Sequence, residues 1–186
     1  MKLCTGRDKL RQLVVSGEGG EGVKNSGFEL EERTVAQVLA LGAERHPEKP
    51  LIKCVTGEEV TYGALDTRSN RMAHGIAAFG IEHQEPVLIM LPDTTDFITL
   101  WCGLSKRGAI EVPVNLAYRG SILKRICNDS GAKTIIVDRA YLDRLEDIEP
   151  ELEHLECCVV YSEDPVAAED ITLPPGLARR ARGGAG

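Results

Sequence analysis

The chain has 186 residues, 42% of them apolar, with a formal charge of −7 and no stretch near the roughly 18 apolar residues of a membrane span. This composition fits one globular domain with a core of its own, and the absence of a basic stripe argues against nucleic acid as a partner. The acidity is local, because residues 139–170 carry eleven acidic and two basic side chains while residues 34–138 are nearly balanced.

Residues 1–33 begin with alternating charges rather than a signal peptide, so a soluble, cytoplasmic protein is expected. The segment 16–33 is rich in Gly, Glu, Ser and Asn, and the whole of 1–33 is expected to be a flexible arm or linker. Within it, Gly17-Glu18-Gly19-Gly20-Glu21-Gly22 follows Leu13-Val14-Val15 and matches G-x-G-x-x-G. A phosphate site of that kind needs a helix opening at the third glycine, so that free amides face the anion. Val23-Lys24-Asn25-Ser26-Gly27 opens no helix, and two glutamates would face the phosphates, so linker is the expectation.

Order is expected from Thr34, where Thr34 and Gln37 have capping-box spacing ahead of a helix face made by Val35, Val38, Leu39 and Leu41. Leu51–Val55 predicts a short strand, followed by a turn at Thr56-Gly57-Glu58 and a second strand reaching Tyr62. Leu65, Ser69, Met72, Ile76 and Phe79 step by four and three along one helix face that stops at Gly80. Val87–Leu91 is an apolar strand ended by Pro92, after which Asp93 can cap a helix with the face Phe97, Leu100, Trp101 and Leu104. Lys106-Arg107 suits the negative end of the helix dipole, Gly108 can take the left-handed stop, and a strand at 110–114 closes on Pro113 and Asn115. A helix marked by Ile122, Leu123, Ile126 and Cys127 ends at Ser130-Gly131. Then come a strand at Thr134–Val137, a helix marked by Tyr141, Leu142, Leu145 and Ile148, and a last strand at Cys157–Tyr161. Strands apolar on both faces that alternate with helices imply an α/β fold of doubly wound type, a mainly parallel sheet with helices on both faces and four strand–helix passes. Beyond Ser162 no packing signal remains, and 163–186 is expected to be an unstructured tail of a chain cut short.

No constellation of reactive side chains emerges. Six cysteines, at 4, 54, 102, 127, 157 and 158, form no C-x-x-C pair and mostly fall in apolar stretches, so buried free thiols are expected. His46, His74, His83 and His154 lie far apart, without a nucleophile or paired carboxylate beside them, and suit surface or capping roles. The acidic run Glu146–Glu156 suits a solvated helix face better than a metal site, and Trp101 suits the core. No catalytic, cofactor-binding or metal-binding residue is assigned.

Taken in order, the pieces resemble the N-terminal region of the AMP-forming adenylating superfamily, which includes acyl-CoA synthetases and peptide-synthetase adenylation domains. Thr61-Tyr62-Gly63-Ala64-Leu65 is similar to its first core motif, Val87–Pro92 with Phe97 to its next strand and helix, and Gly103–Asn115 to its second core motif. Pro113-Val114-Asn115 and Asn128-Asp129-Ser130-Gly131-Ala132-Lys133 resemble carnitine/crotonobetaine-CoA ligase-like enzymes. The resemblance spans about Thr34 to Tyr161, making 34–162 a partial N-terminal domain. It implies a fatty acid metabolism ligase that joins a small carboxylic acid to CoA through an acyl-adenylate, with ATP, Mg2+ and CoA as cofactors. The family's glycine/threonine-rich loop, magnesium glutamate, ribose aspartate and mobile lysine have no match among these residues, so no cofactor is expected to bind this chain tightly. Thr61, Tyr62, Gly108, Pro113 and Asn115 match motifs whose role is architectural. A non-catalytic interaction module on the same scaffold, and a fragment of an amino- or aryl-acid adenylating enzyme, remain open alternatives, as does the oligomeric state.

Overall fold

A computed structural model describes residues 34–54 and 57–162, together with the backbone of 178–179. The expectations for 1–33, the glycine-rich hexapeptide and Cys4 included, lie outside the described residues, as does most of 163–186.

Helix α1 (Val35–Arg45) starts where the sequence places it, with Thr34 and Gln37 forming the reciprocal capping box. Strands β1 (Pro50–Lys53) and β2 (Glu59–Thr61) pair antiparallel in a two-stranded ribbon outside the main sheet. The second strand stops one residue short of Tyr62, because the Thr61 hydroxyl accepts the Ala64 amide and Tyr62 opens helix α2 (Tyr62–Ala78). The ribbon reduces the expected four passes to three within the parallel sheet.

That sheet runs β4–β3–β5–β6, from β3 (Pro86–Met90), β4 (Ile110–Pro113), β5 (Thr134–Asp138) and β6 (Cys157–Tyr161), and all of its described pairings are parallel. A two-residue strand, β7 (Ala178–Arg179), pairs with β6 on the outside. At those two residues the expectation of an unstructured 163–186 does not hold.

The step from β3 to β4 goes one way along the sheet, and the steps to β5 and β6 go the other. Right-handed crossovers therefore put α3 (Thr95–Arg107) on one face and α4 (Gly120–Ser130) and α5 (Leu142–Glu146) on the opposite face. The strands obey this alternation. Leu88, Met90, Ile135, Val137 and Cys158 pack with Leu123 of α4 and Leu145 of α5, whereas Val87, Ile89, Ile136 and Val159 pack with Ile76 of α2 and Leu100 and Leu104 of α3. Each such fully buried aliphatic side chain contributes about 1.5–3 kcal/mol relative to exposure, which makes both faces necessary to the fold. A third, smaller cluster of Leu39, Val60, Leu65 and Cys102 seats α1 and the ribbon on α2 and α3.

Four local expectations are corrected. Thr94, not Asp93, caps α3 by accepting the Phe97 amide. Trp101 is 41% exposed rather than core, because the buried stripe of α3 runs through Leu100, Cys102, Gly103 and Leu104. Val35 and Val38 are likewise exposed, and Leu39 alone anchors α1 to the core. The acidic run is no continuous helix, since α5 ends at Glu146 and a 3-10 turn follows at Glu149–Glu151.

Candidate functional site

The family-like motifs lie on both faces of the sheet, and several of their side chains are taken up in local joints. In Gly103–Asn115, Gly108 sits at φ 68° and its amide reaches back to the carbonyls of Leu104 and Ser105, ending α3. Its own carbonyl accepts the Gln84 amide at 2.7 Å, and Glu85 accepts the amide of Ile110 at 2.9 Å, so the stop residue ties the entry of β3 to the entry of β4. Gly103 of α3 faces α2, where an added Cβ would come within 2.8 Å of Met72 Cγ. Close α2–α3 approach explains this glycine.

Lys106 completes that joint. Its ammonium donates to Asp66 Oδ1 at 2.6 Å, the Asp66 carbonyl at 3.1 Å and Asn70 Oδ1 at 2.7 Å, so all three protons are used. Asn115 Oδ1 accepts the Ala117 amide at 2.8 Å and turns the chain after β4. In Asn128–Lys133, Asn128 donates to the Glu151 carbonyl and accepts the Glu153 amide, while the Lys133 carbonyl receives the amides of Glu156 and Cys157. Lys106, Asn115 and Asn128 thus build joints, whereas Arg107 of the same motif keeps a buried Nε without a hydrogen-bond partner.

The histidines stay apart. His46 caps the end of α1, His83 lies against Gly108, His74 is exposed, and His154 stands 3.9 Å from Glu153. Of the cysteines described, Cys54 is half-buried and Cys102, Cys127, Cys157 and Cys158 are buried, all as free thiols. Burial pushes Cys127 up to about 11 and Cys158 up to about 12, with Cys157 beside Cys158 adding to the latter. Cys102 is also raised, chiefly by burial. Such thiols are poor nucleophiles.

One cavity stands out that the sequence did not announce. A cleft of about 620 Å3 opens on the α2–α3 side of the sheet toward its β5–β6 end. Met72, Gly75 and Ile76 of α2, with Phe79 just past its end, form one wall, Thr99 and Leu100 of α3 the other, and Ile136 and Val159 the floor. Arg68 and Arg71 stand at its lip, and Arg68 also reaches Glu58 at 3.6 Å. At the sheet end, the Tyr161 hydroxyl donates to Asp96 Oδ2, joining β6 to the first turn of α3. A sequence signal for this cleft existed in Gly75, a lone glycine inside a helical pattern.

The described residues bring together no donor set of the kind that holds a magnesium nucleotide. Among the described residues no group of three or more His, Cys, Asp or Glu side chains is placed to hold a metal ion. Gly108 and Gly131 end helices, where free carbonyls repel phosphate, whereas a phosphate loop needs glycines ahead of a helix and its free amides. No described helix is long and apolar enough to cross a membrane.

A parallel sheet wrapped on both faces, entered through an antiparallel ribbon, is a fold this chain shares with solved N-terminal domains of CoA ligases. The inhibitor-bound N-terminal domain of FACL13 from Mycobacterium tuberculosis superimposes with a TM-score of 0.63 at 23% identity, over 69% of this chain and 33% of that one. The AMP-binding enzyme family matches residues 39–181, and the chain belongs to that family. The phosphinothricin tripeptide synthetase PhsC of Streptomyces viridochromogenes is 32% identical over 112 residues, 60% of this chain and 10% of the relative. A medium/long-chain-fatty-acid–CoA/3-oxocholest-4-en-26-oate–CoA ligase of Mycobacterium tuberculosis is 26% identical over 126 residues, 68% of this chain and 23% of the relative. The chain thus spans less than a quarter of the length of either relative.

Proposed function

We propose that this chain supplies the first strands and helices of an ATP-dependent acid–thiol ligase and catalyses no reaction by itself. One observation carries the proposal. The motif residues Thr61, Gly108, Asn115 and Asn128 are all consumed in caps and joints, within a match that covers 39–181. In such a ligase, ATP activates the carboxylate as an acyl-adenylate and CoA then takes the acyl group, with Mg2+ supporting the phosphates. Electrostatic stabilisation of that transfer dominates the chemistry, and the described residues bring together no donor set for it. Its own contribution is to hold α2, α3 and the sheet in register, as the Lys106–Asp66 joint does.

Pro113-Val114-Asn115 supports a CoA ligase of the carnitine/crotonobetaine-like type, and the fatty-acid ligase relative supports an aliphatic acid as substrate. A second reading, an amino-acid-activating branch, is favoured by the similarity to the tripeptide synthetase. An interaction module without chemistry is the alternative from another class.

Purified 1–186 is expected to show no carboxylate-dependent ATP–pyrophosphate exchange with fatty, aryl or amino acids, and no retention of radiolabelled ATP in equilibrium dialysis. Exchange that scales with this chain and survives removal of contaminating ligases would overturn the proposal.

A further inference from the structure

We draw no further inference here: the strongest candidate, the apolar cleft between α2 and α3 at the β5–β6 end of the sheet, lies beside Ile76, Leu100, Ile136 and Val159, which are already buried, and nothing in the structure shows what covers it.

Discussion

Replacing Lys106 by methionine should weaken the fold by about 2 kcal/mol. The methionine retains most of the apolar stem while removing the ammonium, so the loss isolates the charge and its three hydrogen bonds. Breaking a fully buried pair costs about 3–5 kcal/mol and an exposed pair about 0–1 kcal/mol. Here the Lys106 side chain is 11% exposed and that of Asp66 23%, so the joint lies between those limits and nearer the buried one. The partner left behind is an Asp66 carboxylate with α3 packed over it. Urea denaturation followed by circular dichroism should show the lower midpoint with an unchanged slope, and a melting temperature reduced by roughly 6 °C. Asp66→Asn in the Lys106→Met background should recover part of the loss, since it removes the stranded charge. A single-mutant loss below about 0.5 kcal/mol, or strict additivity of the two substitutions, would refute the claim that this pair joins α2 to α3.

Two glycine stops offer an internally controlled comparison. Gly131→Ala meets open space and should cost only the left-handed backbone penalty, about 1 kcal/mol, whereas Gly108→Ala also meets the His83 ring. Because His83 is exposed and can swing aside, the extra cost should stay below about 1 kcal/mol and vanish in a Gly108→Ala/His83→Ala double variant; equal losses with His83 present would contradict this. The buried thiols predict an alkaline limit. Cys127 and Cys158 keep their protons to about 11 and about 12 when folded, while an unfolded chain releases them near 9.0. Their contribution is therefore complete below pH 9 and is lost as pH rises toward 11–12, at up to about 1.4 kcal/mol per pH unit for each thiol. Cys158→Ala should flatten the decline in denaturation midpoint between pH 9 and 10.5, and an unaltered slope would exclude the thiol as its source.

The elements that the sequence showed clearly are those in which one local cause dominates. Val87–Met90 and Thr134–Val137 read as strands because they are buried on both faces, and an uninterrupted apolar run has no competing interpretation at that length. Gly108 and Gly131 read as helix stops because few other residues accept a positive φ. Trp101 was misplaced for the opposite reason. On a helix of 13 residues, the apolar arc of α3 is wide enough to include it, and only tertiary packing shows that Leu100 and Leu104 take the buried positions. β7 was missed because a two-residue strand carries no periodicity and exists only through its pairing with β6. The cleft carries no sequence motif, since its walls come from four separate elements, α2, α3, β5 and β6.

The two faces of the sheet differ in a way that links sequence to function. On the α4–α5 face, Leu88, Ile135 and Val137 lie under Leu123 and Leu145, which are fully buried. On the other face, α2 and α3 cover Val87 and Ile89, and a cleft lies beside the buried Ile136 and Val159. Those residues are as apolar as their neighbours, because a parallel strand composed for burial on both sides keeps that composition along its whole length. The burial of Ile136 and Val159 even beside the cleft shows that α2 and α3 complete the core at this end of the sheet, and that closed core is the scaffold role.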